Sequence, residues 1–281
     1  MIGRLFDIEH GSFVDGPGLR TVVFFKGCNL RCAWCHNPES QSRERQLAIY
    51  HNKCTGCGKC MKVCPSPDTC ILCGKCELLC PTGARKIYGE DYTVDAVIEQ
   101  IEKDRDFYGD KGGVTCSGGE CLRQPEFLTY LLKACKDKRI HTAVDTAGHV
   151  PYDVIEQVLP YTDLFLYDIK TMDDAKHQQY VGVSNSLILE NLNRLLDDGA
   201  KVWVRVPIVA GINDTESDIR AIVDFVDGRA ERIELLPYHS MGENKYAALG
   251  RPVQTFTAPS AEQMDKLRTI LKESTPIDTE K

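Results

Sequence analysis

The sequence predicts an α/β protein whose centre is an open, partial barrel of six β/α units, with a small module inserted into it. Short β-rich runs alternate with amphipathic helical patterns, and six such pairs follow one another. Six units are fewer than the eight that close a complete barrel, so the sheet is expected to remain open. Eleven of the fourteen cysteines lie between Cys28 and Cys80. This short stretch, rich in Cys, Gly and Pro, interrupts the alternation and predicts the inserted module.

Six predicted strands alternate with six predicted helices along the chain. The first strand is Leu19–Phe25, an apolar run typical of a buried parallel strand. After the insert, Thr93 can cap a helix whose apolar face is formed by Val94, Val97, Ile98 and Ile101. Later strands are predicted at Val114–Ser117, His141–Asp145, Leu164–Asp168, Val202–Val206 and Arg232–Leu236. Their helices begin at Pro125 and Pro151 or span Leu187–Asp197, Thr215–Val226 and Ala261–Leu271, and the polar tail Thr275–Lys281 is expected to fray.

Composition and charge favour a soluble protein without nucleic-acid or membrane partners. The 281 residues include 34 Lys and Arg against 41 Asp and Glu, a net charge of −7, and are 42% hydrophobic and 27% charged. A negative net charge disfavours phosphate backbones and anionic lipid, and no apolar run approaches the roughly 18 residues of a spanning helix. Arg4, Asp7, Glu9 and His10 interrupt the apolar stretch that a signal peptide requires. A cytoplasmic protein is therefore expected.

The cysteines point to metal binding rather than to disulfides. Glutathione keeps structural disulfides rare in the cytosol, where clustered thiols are typical of metal sites or catalysis. We therefore predict a metal-binding module at residues 47–88, and a barrel formed by residues 1–46 and 89–281. The cysteines that follow the module, Cys116, Cys121 and Cys135, are expected to be buried thiols that pack as small hydrophobic side chains.

The first cysteine motif is a C-x3-C-x2-C loop formed by Cys28, Cys32 and Cys35. Three thiolates on one tight loop can hold three irons of a cubane cluster and leave the fourth iron without a protein ligand. An open coordination position allows a metal site to bind a substrate. A zinc loop with His36 as the fourth ligand is the alternative, because thiolate-rich sites suit both metals.

The second set of cysteines forms two tandem C-x2-C-x2-C-x3-C-P runs. This is the signature of two-cluster bacterial ferredoxins, in which the fourth cysteine of each run binds the other cluster. The pattern assigns one cluster to Cys54, Cys57, Cys60 and Cys80, and the other to Cys70, Cys73, Cys76 and Cys64. Only five residues separate Cys64 from Cys70, so the ferredoxin fold is expected to be trimmed there. Zinc is again the alternative metal.

Several further motifs accompany the cysteine loop along nearly the whole chain: Asp15–Arg20 (DGPGLR), Ser117–Glu120 (SGGE), Asp145–Gly148 (DTAG), Asp168–Lys170 (DIK), Arg205 within Val202–Pro207, and Leu235–His239 (LLPYH). With these motifs the sequence resembles the glycyl-radical-enzyme activating enzymes, a branch of the radical S-adenosylmethionine (SAM) superfamily that includes pyruvate formate-lyase-activating enzyme. It is most similar to the subgroup that carries an inserted two-cluster ferredoxin module. The resemblance thus implies a partial (βα)6 radical SAM barrel.

The resemblance also implies a reaction. In that family an iron–sulfur cluster binds SAM and cleaves it to methionine and a 5′-deoxyadenosyl radical, which abstracts a hydrogen atom from a backbone glycine of a partner enzyme. The implied cofactors are SAM, three [4Fe–4S] clusters and a monovalent cation. The implied partners are a glycyl radical enzyme and a flavodoxin or ferredoxin that donates electrons, with the two further clusters as a relay. An anaerobic or microaerobic cell is implied as well.

Site residues follow from the same resemblance. The SAM-binding cluster would be held by Cys28, Cys32 and Cys35, which with Lys170 and Arg205 are the candidate catalytic residues. SAM would contact Trp34, Cys35, His36, Gly118, Gly119, Glu120, Asp168, Ile169, Lys170 and His239. The cation would bind Asp145, Thr146 and Asp168. Asp15 and Arg205 match positions that meet the partner's glycine loop or the SAM carboxylate.

The predicted strands support this site independently, because each of these motifs lies at or just after the C-terminal end of a strand, where barrel enzymes place their active sites. Simpler interpretations remain for single residues: an ion pair for Asp168 and Lys170, a turn for His239 and the two glycines, and a structural role for Arg205. Two other functions remain open as well. One is a radical SAM enzyme that acts on a small molecule or peptide, and the other is a non-catalytic iron–sulfur electron carrier or zinc scaffold.

Overall fold

The computed structural model describes residues 1–274, so the predicted frayed tail Thr275–Lys281 lies outside the described residues. The strands are β1 (Ile2–Ser12), β2 (Arg20–Phe25), β3 (Gln46–Ile49), β4 (Arg85–Tyr88), β5 (Glu90–Thr93), β6 (Gly113–Gly118), β7 (His141–Thr146), β8 (Leu164–Asp168), β9 (Val202–Ile208) and β10 (Arg232–Pro237). The helices are α1 (Lys59–Val63), α2 (Lys75–Leu78), α3 (Val94–Glu102), α4 (Pro125–Asp137), α5 (Tyr152–Val158), α6 (Asp174–Val181), α7 (Ser186–Asp197), α8 (Glu216–Val226), α9 (Glu243–Ala248) and α10 (Ala261–Ser274).

One large sheet confirms the predicted core of six parallel strands. Its order is β10-β9-β8-β7-β6-β2-β1-β5, and the pairs from β2 to β10 are all parallel. Strands β10 and β5 form its two edges, so the sheet is open, as expected for an incomplete barrel. The parallel register brings the C-terminal ends of the six predicted strands to the same edge.

The sheet also contains two antiparallel strands that the sequence pattern did not predict. β1 pairs with β2 on one side and with β5 on the other. β1 mixes buried Leu5 and Phe6 with exposed charged residues and contains a register shift between Glu9 and Ser12. Because its alternation is irregular, the pattern of a half-buried strand is obscured.

Helix α6 was also missed, and the reason is its composition. Of its eight residues only His177 and Val181 are buried, so no apolar stripe marks it in the sequence. Its ends do carry signals: the side chain of Asp173 accepts a hydrogen bond from Lys176 N, and Gly182 adopts the left-handed conformation. The predicted cap at Thr93 is confirmed, since its side chain accepts from Ala96 N. Thr215, predicted as the first residue of a helix, is instead the residue that caps α8 and forms a capping box with Asp218.

The helices pack on the sheet through the predicted apolar faces. Val97, Ile98 and Ile101 of α3 and the leucines of α4 belong to one large buried cluster with the central strands. Cys116, Cys121 and Cys135 lie in this cluster and are fully buried. Burial raises the pKa of all three thiols, to about 12 for Cys135. These cysteines are therefore packed, protonated side chains, as predicted.

The cysteine-rich stretch is bracketed by a small sheet in which β3 pairs with β4. Between these strands, α1 and α2 each follow a glycine in the left-handed conformation, Gly58 and Gly74. The eight cysteines of this stretch are free thiols that are exposed or half-buried. Within residues 1–274, no three His, Cys, Asp or Glu side chains converge on a position for a single metal ion. No helix in that range is both long and apolar enough to cross a membrane.

Candidate active site

A cleft of about 580 Å³ opens at the C-terminal ends of the parallel strands. Its walls contain residues at or just after the C-terminal end of each of the six strands, because the parallel register aligns those ends. The cleft contains nearly all the residues predicted for SAM, its cluster, the cation and the partner's glycine loop: Asp15, Cys28, Cys32, Trp34, Cys35, His36, Gly118, Gly119, Glu120, Asp145, Thr146, Asp168, Lys170, Arg205 and His239. Ile169 is the exception, because its side chain is 1% exposed and packs in the core.

The Cys28 loop, residues 28–41, is closed at its base by backbone hydrogen bonds just after strand β2, and it is tied to α6. Gly27 N donates to Ser40 O at 2.6 Å, and Cys28 N donates to Gln41 O at 3.1 Å. Arg31 N and Ala33 N donate to carbonyl groups at the C-terminal end of α6, at 2.9 and 2.8 Å. The helix that the sequence pattern missed therefore supports the loop that carries the three cysteines.

A buried ion pair holds the second half of the loop. The carboxylate of Glu39, which is 1% exposed, lies 2.6 Å from Lys245 Nζ at the start of α9. Lys245 also donates to Asn37 Oδ1 at 2.8 Å, and Lys26 Nζ donates to Glu39 O. Nothing in the sequence pattern pointed to Glu39 or Lys245, because they are 206 residues apart. The pair fixes the segment that follows Cys35.

The three thiols of the loop are half-buried. Burial raises the pKa of Cys32 to about 12 and also raises the pKa of Cys28 and Cys35. Hydrogen bonds from Asn37 N and the Gln41 side chain act in the opposite direction on Cys35, and the charge of Lys170 does so on Cys32. Burial disfavours an isolated thiolate, so the anionic form at this position requires a bound cation such as iron.

Gly118 and Gly119 are required by close contact between two chain segments. Gly119 N donates to Phe25 O at 2.9 Å, and Glu120 N donates to Gly27 O at 3.0 Å. A Cβ at Gly119 would lie 2.6 Å from Gly27 O, and Gly118 has a positive φ of 114°. The glycines thus let the Gly-Gly-Glu turn lie directly against the start of the Cys28 loop, and they also form part of the cleft wall.

Glu120 is a buried carboxylate that connects two strand ends. It accepts hydrogen bonds from Thr146 Oγ1 at 2.7 Å, from Ala147 N at 3.2 Å and from Leu122 N at 3.2 Å. Burial raises its pKa from the usual 4.5 to about 7, although these hydrogen bonds oppose the shift. A half-ionised buried carboxylate at the cleft wall is suited to an ammonium group, which would restore its full charge.

Asp145 and Arg205 form the centre of a second polar group. Ser117 Oγ donates to Asp145 Oδ2 at 2.6 Å, and Arg205 Nη1 lies 3.7 Å from Asp145 Oδ1. Arg205 Nε is also 3.7 Å from Glu234 Oε2, a contact that the sequence did not reveal. Burial raises the pKa of Asp145 to about 6 despite the guanidinium charge. Arg205 is therefore held between two carboxylates at a distance longer than a hydrogen bond.

Asp168 and Lys170 form the ion pair anticipated as the simpler interpretation, with 2.7 Å between Oδ2 and Nζ. Both side chains also face the cleft, so the pair does not preclude ligand binding. Although burial opposes it, the neighbouring carboxylate of Asp168 raises the pKa of Lys170, which stays charged.

Aromatic side chains form the opposite wall of the cleft. The rings of His36 and His239 stack at 3.8 Å with an interplanar angle of 16°, a pairing that the sequence did not predict. Burial, and secondly the charge of His239, lowers the pKa of His36 to about 4, so this imidazole is neutral. Trp34 packs against Tyr180 and Phe256 at centroid distances of 5.9 and 6.0 Å.

Asp15 and Arg20 belong to one motif but have different roles. Asp15 lies at the cleft, whereas Arg20 is fully buried beneath it. Arg20 Nε donates to Thr115 Oγ1 at 2.5 Å, and Thr115 Oγ1 donates to Asp15 O at 2.7 Å. Arg20 Nη1 donates to Pro17 O at 3.1 Å. Arg20 therefore positions the loop that carries Asp15.

The polar groups of the cleft fit SAM and a thiolate-bound cluster. Four buried polar atoms at its wall have no hydrogen-bond partner within residues 1–274: Trp34 Nε1, His36 Nε2, Asp145 Oδ1 and Arg205 Nε. Buried polar groups are normally satisfied, so this set indicates a polar ligand. The three thiols match a cluster, the Glu120 carboxylate and the Asp168–Lys170 pair match an amino acid moiety, and the aromatic wall matches a nucleobase.

Comparison with known proteins agrees with this geometry. The model of the Radical SAM superfamily matches residues 22–226. The chain is 43% identical to the choline trimethylamine-lyase activating enzyme of Oleidesulfovibrio alaskensis, covering 95% of this chain and 94% of that enzyme. It is 38% identical to the trans-4-hydroxy-L-proline dehydratase activating enzyme of Clostridioides difficile, with 96% of both covered.

A solved structure adds a structural match. A domain of pyruvate-formate lyase-activating enzyme from Bacteroides vulgatus superposes with a TM-score of 0.51 and 33% identity, covering 59% of this chain and 99% of that one. The near-complete coverage of the two activating enzymes above excludes a match confined to a shared cofactor domain. This chain belongs to the radical SAM superfamily and, within it, to the activating enzymes of glycyl radical enzymes.

Proposed function

We propose that the chain activates its partner through the cleft described above, with SAM bound between the Cys28 loop and the strand ends. The observation that carries this proposal is that the thiols, Glu120 and Arg205 share one cleft with four unpartnered buried polar atoms. When bound, the cluster and SAM supply the 5′-deoxyadenosyl radical that takes a hydrogen atom from the partner's glycine. The side chains of the cleft would hold and orient these groups.

The side chains divide this work by chemistry. Cys28, Cys32 and Cys35 would hold the cluster. Glu120 would accept hydrogen bonds from the SAM amino group, while Lys170 or Arg205 would pair with its carboxylate. The side chains of Trp34 and of the His36–His239 stack would border the adenine. Ile169 lies in the core, so only its backbone is available for this role, and its N–H already donates to Arg205 O at 3.0 Å.

Two further clusters complete the proposed cofactor set. Cys54, Cys57, Cys60 and Cys80 would hold one, and Cys70, Cys73, Cys76 and Cys64 the other, which makes residues 47–88 a separate ferredoxin-like module beside a barrel of residues 1–46 and 89–281. The half-buried or exposed state of these eight thiols leaves them available to iron. Asp145, Thr146 and Asp168 are the proposed ligands of a monovalent cation. We place the protein in the cytoplasm of an anaerobic or microaerobic cell, with flavodoxin or ferredoxin as electron donor.

The partner is proposed only as a class. The two activating enzymes compared above, 43% and 38% identical to this chain, carry the names of a lyase and of a dehydratase. Such similar identities favour a glycyl radical enzyme without selecting its substrate.

Anaerobic reconstitution tests the proposal. Protein loaded with iron and sulfide should hold about twelve iron atoms per chain, the content of three cubanes, and should release 5′-deoxyadenosine and methionine from SAM with dithionite. Added glycyl radical enzyme should then show a glycyl radical signal by electron paramagnetic resonance. Cys135→Ala is the control for removal of a cysteine that is assigned to no cluster, since this thiol lies in the core. Stoichiometric zinc in place of iron, or no SAM cleavage by fully loaded protein, would refute the proposal.

A further inference from the structure

A second cavity of about 440 Å³ lies beside the Cys28 loop. Cys28 and Gln41 contribute to the walls of both this cavity and the SAM cleft, so these two residues stand between them. Of the residues assigned to SAM or to its cluster, Cys28 alone lines the second cavity. It is therefore a separate surface that reaches the cluster loop from another side.

The lining of this cavity, which we call the basic pocket, is unusual for an acidic protein. Lys26, Arg31, Arg43, Arg123 and Arg251 line it, and no Asp or Glu does, although the chain carries a net charge of −7. Like charges gathered in one concave surface produce a focused positive potential. Such a surface attracts an anionic partner.

Two of these cations are fastened to the cluster loop. Arg31 Nη1 donates to Cys28 O at 2.7 Å. Arg251 Nη2 donates to Gln41 Oε1 at 2.9 Å, and the Gln41 side chain in turn bonds to Cys35. A partner in the basic pocket would therefore be linked through only one or two hydrogen bonds to Cys28 and Cys35, two of the proposed cluster ligands.

Two other cations are left for a partner. Arg43 and Arg123 are exposed, and neither guanidinium has an ion pair with a carboxylate in the part of the chain that the structure describes. Other exposed arginines do form such pairs, as Arg220 does with Glu216 and Arg229 does with Asp197. An anionic partner can therefore bind these two guanidinium groups without first breaking an internal ion pair.

We propose that the basic pocket is the docking surface for an acidic electron-carrier protein, which delivers its electron directly at the Cys28 side of the SAM-binding cluster. The inference rests on the proposed function, because that function requires one electron for each SAM that is cleaved. The carrier loses one electron and the cluster gains one, and no bond to the protein forms or breaks. The surface offers a route that does not pass through the inserted module.

The test uses reconstituted holoprotein and an oxidised, strongly acidic flavodoxin as the probe. The double variant Arg43→Glu/Arg123→Glu should weaken flavodoxin binding about tenfold or more at low salt, and the parent's affinity should fall as salt is added. The matched control, Arg220→Glu/Arg268→Glu, makes the same charge change on α8 and α10, outside the pocket. Its affinity should stay within about twofold of the parent's. Equal affinity of the Arg43→Glu/Arg123→Glu protein and the parent, or an equal loss in the control, overturns the proposal.

Kinetics separate this inference from the proposed function. Reduced flavodoxin should reduce the SAM-binding cluster of the double variant about tenfold more slowly, whereas photoreduced 5-deazariboflavin, which needs no docked protein, should drive SAM cleavage as in the parent. Failure of cleavage with deazariboflavin in the parent would count against the proposed function instead. Cys57→Ala should still accept electrons from flavodoxin at the SAM-binding cluster. Loss of that reduction in Cys57→Ala would place electron uptake in the module and overturn the proposal.

Two further outcomes would also overturn it. If the charge reversal weakens binding of the glycyl radical enzyme and leaves flavodoxin binding unchanged, the pocket belongs to the protein substrate. If inorganic phosphate binds the parent in millimolar titrations, and the reversal abolishes that binding alone, the pocket is a small-anion site.

Discussion

Replacing the buried carboxylate of Glu120 by an amide is predicted to stabilise the protein at alkaline pH and to weaken SAM binding. Burial raises the pKa of Glu120 from 4.5 to about 7. Because the folded form holds this proton more tightly than the unfolded chain, the cost of ionisation is absent below pH 4.5, grows as the pH rises, and is complete above pH 7. A shift of this size corresponds to about 3 kcal/mol.

Glu120→Gln removes that cost but also removes one hydrogen bond. The amide oxygen can still accept from Thr146 and Leu122, whereas the amide NH2 cannot accept from Ala147 N, which now donates to Oε2 at 3.2 Å. The lost bond costs about 1 kcal/mol. The variant should therefore be about 1 kcal/mol less stable than the parent at pH 4.5 and about 2 kcal/mol more stable at pH 8.

Urea denaturation of the SAM-free protein at both pH values gives the two free energies of unfolding, and equilibrium dialysis gives SAM affinity. The amide loses a charge-assisted bond to the amino group, so SAM should bind roughly tenfold or more weakly. A variant that is less stable than the parent at pH 8, or a stability difference that does not change sign with pH, would refute the reasoning about burial. Unchanged SAM affinity would refute the contact.

Three further predictions concern the cluster loop. Cys32→Ala should release no 5′-deoxyadenosine by chromatography, because the cluster loses a ligand; yield equal to the parent's would contradict the assignment. Gly119→Ala should lower the free energy of unfolding by about 1–3 kcal/mol, since its Cβ would lie 2.6 Å from Gly27 O, and a thermal melt that matches the parent's would argue against this contact. Lys245→Met should lower the free energy of unfolding, measured in urea, by about 3 kcal/mol and should lower the iron content, because it leaves Glu39 as an unpaired buried charge. Adding Glu39→Gln to this variant should restore part of the stability and part of the iron content. If the double variant restores neither, the ion pair is not what holds the loop.

The sequence by itself determined the parallel core, the cysteine loop that follows its first strand and the edge at which the cleft forms. These features rest on local information: apolar periodicity marks Leu164–Asp168 as a strand, a cap residue marks the start of α3, and thiol spacing marks the cluster loop. Parallel strands end at the same edge of the sheet. The strand assignments alone therefore predicted that strand-end residues such as Asp145 and Arg205 lie close together.

Only the tertiary structure showed which contacts hold the Cys28 loop in place and that the basic pocket lies beside it. The sequence did not indicate the Glu39–Lys245 pair, the His36–His239 stack or the basic pocket, because each joins residues distant in the chain whose local patterns are those of ordinary polar segments. Helix α6 was not predicted for a related reason: only two of its residues are buried, so the sequence shows no apolar periodicity there. Its C-terminal carbonyl groups nevertheless accept hydrogen bonds from the Cys28 loop. Long-range pairs of charges and rings depend on where the chain returns, and that position is set by packing of the whole barrel.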